Sequence, residues 1–229
     1  MSEINTKQHF KYFNAISITF VICLITSNLA ATKLWQVYSF TLPGGMIIFP
    51  LLYVLNDILT EVYGFTASRR VILTALFCSL FVNIILWIVV LLPPAEHWNN
   101  HESFSNIFSL TPRIFIASFT SYFIGELLNA FSISNFKILL EGRHFAMRAI
   151  ISTCIGATVE SVLFINIAFI GLLPTKQLFS MILTMTVIKV VYEIIVLPIT
   201  VKFTAFLKTS EDIDSFEAPS WRGIFNCYK

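Results

Sequence analysis

The chain has 229 residues, 56% of them hydrophobic and only 12% charged, with a net charge of +2. Soluble domains average about 25% charged residues, so this chain lacks the polar surface to cover a water-soluble domain of its size. The small charge gives no sign of a nucleic-acid partner, and the lack of a GxxxxGK[ST] phosphate loop excludes ATP hydrolysis by that route.

Several apolar stretches exceed the ~18 residues that separate a spanning helix from a core helix. They predict an all-α, polytopic membrane protein with six transmembrane helices in a single membrane domain. The first helix covers residues 12–33 and is read as a span, not as a removable signal, because its apolar run is long. The second covers 46–63, after the breaker Pro43-Gly44-Gly45. The third covers 70–92 and stops at Pro93-Pro94. The segment from Pro93 to Pro112 is read as a polar surface loop with Trp98 at headgroup level. The fourth helix covers 113–131, the fifth 145–172, and the sixth 178–207. A short tail, 208–229, follows.

Lys and Arg near the span ends set the orientation. The N-terminal tail, the second-to-third and fourth-to-fifth connections and the C-terminal tail collect eleven of the fifteen cations. The other side has Lys33, Arg113 and Lys176, and Lys189 remains inside a span. Both termini are therefore expected in the cytoplasm, in agreement with an even number of spans.

The chemistry lies in the ionisable groups left inside apolar helices: Asp57, Glu61, Glu126, Glu160, Lys189 and Glu193. On insertion scales an Asp or Lys costs at least ~2.5 kcal/mol at the bilayer centre, so a polar interior or water-filled path is expected. Asp57 and Glu61 are four apart and share a helix face. Glu61 lies near Arg69 and Arg70, and suits either an interfacial pair with them or a ligand contact. Lys189 and Glu193 are also four apart and suit either a mutual pair or a substrate contact. On the fifth helix Arg148, Ser152, Gly156 and Glu160 recur every four residues. Ser152 and Gly156 form a small-xxx-small pattern that lets another helix approach. On the fourth helix Ser118, Tyr122, Gly125, Glu126 and Asn129 form a polar stripe. Asn28, beside Ser27 in the first helix, suits either interhelical bonding or ligand contact.

Cys23, Cys78, Cys154 and Cys227 lack pairing spacing and read as small buried hydrophobes. His97 and His101 lack a convincing third ligand in the same loop, so no metal and no cofactor are expected.

The segment FPLLYVLNDILTEVYGFTASRR, Phe49 to Arg70, resembles the queuosine precursor transporter family, also called the vitamin uptake transporter family. Its D-I-L-T-E-V-Y-G core with paired arginines carries the likeness. Ser27-Asn28, RIFIASFTSYFIGELLN (Arg113 to Asn129), RAIISTCIGATVESVLFINIAFIG (Arg148 to Gly171) and the Lys189 region agree with it. The resemblance covers most of residues 12–205. It implies uptake of 7-deazaguanine bases: 7-cyano-7-deazaguanine, its aminomethyl relative, or queuine. It also implies a layout like the substrate-binding components of energy-coupling-factor vitamin transporters. A bacterial plasma membrane is the implied location, the inner one in a Gram-negative cell. Within the resemblance, Glu160 takes a position held by Asp or Glu.

A guanine-type edge offers two adjacent N–H donors, which a carboxylate accepts as a fork. Asp57 and Glu160 suit that role, Glu126 or Glu193 suits an aminomethyl cation, and aromatic side chains suit the flat base. Asp57, Glu160, Glu126, Asn28, Lys189, Glu193, Tyr122, Glu61 and Ser152 are thus the candidate substrate contacts. The expected partners are this small molecule and the lipid bilayer. A single chain, a homo-oligomer and a capture subunit of an ATP-driven importer remain open. An intramembrane enzyme would need a nucleophile–base pair or metal triad, and the sequence offers neither. The two halves of three helices would run in opposite orientations, with Asp57 and Glu160 each in the second helix of its half, as in inverted-repeat transporters.

Overall fold

The computed structural model describes residues 10–30, 33–37, 40–108, 112–171 and 174–218. The predicted tail residues 219–229 and the cations Lys7, Arg222 and Lys229 lie outside the described residues. The elements in order are α1 (Phe13–Ala30), the strands β1 (Leu34–Val37) and β2 (Phe40–Pro43), and a 3-10 turn (Gly44–Ile47). Then come α2 (Phe49–Tyr63), α3 (Phe65–Leu91), α4 (His101–Phe108), α5 (Pro112–Leu139), α6 (Phe145–Phe169) and α7 (Thr175–Glu211).

Six of these helices match the six predicted from apolar runs, with shifted ends. Four of them, α1, α3, α6 and α7, are long and apolar enough to cross a membrane. α2 has 15 residues, about 22 Å at 1.5 Å per residue, against a hydrocarbon core of ~30 Å. α5 has the length, but Ser121, Tyr122, Glu126 and Asn129, all buried, lower its apolar content.

α2 starts later than predicted because Pro50 favours the first helical turn and residues 44–47 wind more tightly. The hairpin before it pairs Leu34 with Pro43 and Val37 with Phe40. It leads into Gly45, whose carbonyl accepts from Ser27 Oγ at 3.1 Å, so the start of α2 is docked on α1. α3 begins at Phe65 and not at residue 70. Gly64 alone joins α2 to α3, at φ 91°, a backbone region that L side chains rarely enter. Arg69 and Arg70 therefore lie in the opening turns of α3. The segment 93–112 holds α4, which packs against α3.

α2 is the centre of the bundle. From Leu52 to Tyr63 every residue is buried, and the helix packs against α1, α3, α5 and α7. The outer faces carry apolar side chains instead: Phe77, Phe81 and Trp87 on α3, and Phe179, Ile195 and Ile199 on α7 are each more than half exposed. Charged and amide groups point inward while large hydrophobes point outward. That distribution is the reverse of a water-soluble protein and is what a lipid solvent demands.

α5 and α6 cross closely at two glycines. A Cβ on Gly156 would stand 2.8 Å from Gly125 O and 3.0 Å from Asn129 Cβ. A Cβ on Gly125 would stand 2.7 Å from Glu160 Cβ. The small-residue pattern read on the fifth helix thus meets its counterpart on α5, and Gly156 is the residue in contact.

Both described chain ends, the α2–α3 junction and the α5–α6 turn meet at one end of the bundle. Glu211, the last residue of α7, accepts from Lys11 N at 2.9 Å and Tyr12 N at 2.7 Å, and from Tyr63 Oη at 3.2 Å. Helix direction accordingly alternates along the chain. Gly156→Val should overpack the α5–α6 crossing by about 1–3 kcal/mol. Thermal unfolding in detergent should show a lower midpoint than for Ile155→Val, at an exposed position of the same helix.

Candidate functional site

The residues that α2 turns toward α5, α6 and α7 form a polar ladder. Phe49, Tyr53, Asp57 and Glu61 follow one another every four residues, so they line one face at steps of about 6 Å.

The first rung holds Glu160 of α6. Lys189 Nζ of α7 donates to Glu160 Oε2 at 2.7 Å, and Tyr53 Oη donates to the same oxygen. The Lys189 ammonium also sits 4.8 Å from the ring centre of Phe49 and 5.5 Å from that of Tyr53. A cation over two aromatic faces and against a carboxylate is well matched in a dry site. Tyr122 of α5 closes this region, edge-on to Phe49 at 5.5 Å, and is buried.

The middle rung holds Asp57. Asn129 Nδ2 donates to Asp57 Oδ1 at 2.7 Å. Beside it, Asn56 Nδ2 donates to Glu126 Oε2 at 2.5 Å, and Ser68 Oγ donates to Asn56 Oδ1. Glu193 of α7 is buried within electrostatic range of Asp57, as Glu126 is of Glu160. Among the described residues no group donates to Asp57 Oδ2, Glu126 Oε1 or either oxygen of Glu193, and Tyr122 Oη is likewise unsatisfied. Buried acceptors of this kind are rare unless something else completes them.

The third rung holds Glu61. Arg148 of α6 forms a two-pronged pair with it, Nη1 to Oε2 at 2.6 Å and Nη2 to Oε1 at 3.0 Å. Lys208 Nζ of α7 lies 2.6 Å from Oε1, and Lys137 Nζ of α5 lies 3.6 Å from it. Lys137 also donates to Glu61 O at 2.6 Å and to Asp214 beyond the end of α7. Four helices converge on one carboxylate.

The structure separates the predicted residues. Asp57, Glu126, Glu160, Lys189, Glu193 and Tyr122 line the first and middle rungs together. Glu61 belongs to the third rung, and its partners are Arg148, Lys208 and Lys137, not Arg69 or Arg70. Lys189 pairs with Glu160 and not with Glu193, because it projects toward α6. Asn28 stands apart: its Nδ2 donates to Ser79 Oγ of α3 at 2.8 Å, an interhelical bond of the expected kind. Ser152 is buried and donates to Ala149 O of its own helix at 2.9 Å. Tyr53, Asn56, Lys137 and Asp214 were not singled out from the sequence. Tyr53 had a signal, four residues before Asp57 on the same stripe. Lys137 and Asp214 had none, since their meeting is tertiary.

Asp214 is accessible to water. Burial pushes its carboxyl up, but hydrogen bonds from Lys137 and Lys208, then their charges, outweigh this and hold it below the ordinary value. A depressed carboxyl stabilises above its unfolded value, about 3.9 for Asp, and that contribution is lost as pH falls through the folded value. Cleavage of the 212–218 segment by an acid-active protease should therefore accelerate below about pH 4, and less so in Asp214→Asn. Removing one partner of a buried ion pair costs about 3–5 kcal/mol. Glu61→Gln leaves the wholly buried Arg148 without its anion and Lys137 and Lys208 with only the water-exposed Asp214, whereas Arg148→Met leaves Glu61 with two lysines. Melting in detergent should therefore be lowered more by Glu61→Gln.

Residues 43–203 match the model of a family described as "putative vitamin uptake transporter". A Bacillus subtilis protein named probable queuosine precursor transporter is 22% identical over 175 residues, 76% of this chain and 76% of that protein. A Haemophilus influenzae protein of the same name is 25% identical over 145 residues, 63% of this chain and 59% of that protein. The Escherichia coli queuosine precursor transporter is 21% identical over 169 residues, 74% of each. No solved structure matches the chain.

Proposed function

This chain belongs to the vitamin uptake transporter family, and on that premise we propose that it imports a queuosine precursor across a bacterial plasma membrane. The bundle crosses the membrane six times, α1, α2, α3, α5, α6 and α7 each making one crossing, with both termini in the cytoplasm. The meeting of both ends of the described chain with the α2–α3 junction and the α5–α6 turn supports this topology, as does the excess of Lys and Arg at that end. α2 makes its crossing as a short helix with the 3-10 turn and hairpin continuing it.

The observation that carries the reading is the middle rung. Buried carboxylate oxygens of Asp57, Glu126 and Glu193 have no donor among the described residues, in a bundle whose outside is apolar. A 7-deazaguanine base brings what they lack: two adjacent N–H groups for one carboxylate fork and a flat ring for Phe49, Tyr53 and Tyr122. Asp57 takes the base edge at the middle rung. Glu160 takes it at the first rung when Lys189 moves aside, and an aminomethyl substituent finds Glu126 or Glu193. Asn28 and Ser152, tied into helix contacts, are the weakest of the candidates.

A carboxylate oxygen without a donor is costly in a dry interior when no ligand is bound, and a proton carried in place of the ligand offsets that cost. Uptake is therefore coupled to the proton gradient in this reading. A second reading, in which the chain captures substrate for an ATP-driven module, follows from the layout that the family resemblance implies.

Proteoliposomes containing the chain alone should accumulate at least one of 7-cyano-7-deazaguanine, 7-aminomethyl-7-deazaguanine and queuine. Accumulation should cease when the proton gradient is collapsed; a full rate without the gradient would exclude proton coupling. Activity only on addition of an ATPase module would favour the second reading. A hydrogen bond to a charged group contributes about 1.5–3 kcal/mol, so Asp57→Asn and Glu160→Gln should each lower uptake about tenfold to a hundredfold. Queuosine in the tRNA of cells dependent on the transporter should fall in parallel, at unchanged expression.

A further inference from the structure

After α7 the chain does not leave the bundle. Residues 212–217 turn back across the end where Glu61 lies. The αL conformation of Asp212, φ 50°, reverses the chain, and Ile213 N caps α7 on Lys208 O at 3.2 Å. Ser215 N then donates to Val62 O at 3.3 Å, the last turn of α2. Lys137 Nζ donates to Ser215 O at 2.7 Å, and Ser134 Oγ donates to Glu217 O at 2.6 Å, which fastens the segment to α5. Glu217 accepts from Thr66 N at 2.9 Å and from Thr66 Oγ1, at the start of α3. A carboxylate there satisfies a free helix-start N–H and faces the positive end of the helix dipole. Phe216 seats on the α5–α6 turn, where a Cβ on Gly142 would stand 2.7 Å from its ring, and its ring lies 4.7 Å from Lys137 Nζ. The segment thus touches α2, α3, α5 and the α5–α6 turn within six residues.

It also lies in line with the polar ladder. A ligand moving from Asp57 along the stripe of α2 next meets Glu61 and its three cations, and beyond them Asp214 and Ser215. The two layers differ in wetness. The side chains of Glu61 and Arg148 are wholly buried, while that of Asp214 is 43% exposed and that of Lys208 22%. Wet ion pairs are weak and exchange readily with water, so the outer layer can open without first dismantling the inner one.

We propose that residues 212–217 are a latch over the inner mouth of the ladder, held shut by Lys137, Lys208 and Thr66, and that it must detach for a solute to pass between Asp57 and that end of the bundle. The proposal rests on the transporter reading but not on which solute is carried.

The test uses the full chain with its four cysteines replaced by alanine. Thr60, buried between Asp57 and Glu61, is changed to Cys, and its labelling by a hydrophilic maleimide is followed in the purified protein. The pair Asp214→Asn and Glu217→Gln should speed labelling by about tenfold, the loss expected of a few weak polar contacts. Equal labelling rates with and without the pair would overturn the latch. A second arm does not depend on the pair folding. Ser134→Cys and Glu217→Cys are joined by a reducible thiol linker in proteoliposomes, and uptake of 7-cyano-7-deazaguanine is measured. Uptake should fall about tenfold when the linker is closed and return on reduction; uptake unaffected by the closed linker would likewise overturn the proposal. Lack of uptake in the unlinked protein would count against the substrate alone, and the labelling arm would still decide the latch.

Discussion

Everything in this bundle depends on a short helix that lipid would reject. α2 carries Asp57 and Glu61 and is buried on all sides. A carboxylate without partners in a medium of low dielectric is prohibitive. The surrounding helices answer that constraint one by one: α5 offers Asn129 and Lys137, α6 Arg148, α7 Lys208. The same helices also bring charges of their own, Glu126, Glu160, Lys189 and Glu193, into the interior. The outer surface is left free to be apolar. Fold and site are therefore one arrangement viewed from two sides.

The ladder is not uniform. At the Glu61 end, Arg148, Lys137 and Lys208 face Glu61, two of them face Asp214 as well, and every charged group of this cluster has a partner. In the middle, acids outnumber cations, and several oxygens lack donors among the described residues. At the Glu160 end a single lysine, two aromatic rings and a tyrosine hydroxyl balance one carboxylate. A fully matched end is rigid and closed. An unmatched centre is where a solute with its own donors has the most to gain. The gradient from matched to unmatched runs along about 12 Å of α2, counting from Tyr53 to Glu61 at 1.5 Å per residue.

Much of this was legible in the sequence, and the reason for each failure is physical. Long apolar runs announce helices whatever surrounds them, so helices stand at all six places with shifted ends, and four of them are long and apolar enough to cross a membrane. The ends moved where charge was mistaken for a boundary: Arg69 and Arg70 read as loop, yet Gly64 alone turns the chain and α3 starts at once. Charges inside apolar runs announced a polar interior for the same reason. Their pairing was not legible. Spacing of four offered Glu193 to Lys189, and nearness along the chain offered Arg69 and Arg70 to Glu61, because a sequence reports only its local neighbours. The actual pairs span 29 residues for Lys189 and Glu160, and 87 for Arg148 and Glu61. Only tertiary packing decides these. The hairpin before α2 escaped because its four-residue strands are too short to show a period. The segment after α7 escaped because nothing in its local sequence says that it turns back.

The distance between partners along the chain also sets an order of assembly. Glu61 is made early, and its cations arrive late: Lys137 is 76 residues further on, Arg148 87, and Lys208 147. At a synthesis rate of about 5–20 residues per second, Lys208 appears on the order of ten seconds after Glu61. Through that interval α2 has neither the length nor the neutrality to settle in lipid. It must wait against the insertion machinery or at the water interface, while α1 and α3, which are apolar enough to enter, hold its two ends. The arrival of α7 is then what lets α2 come to rest.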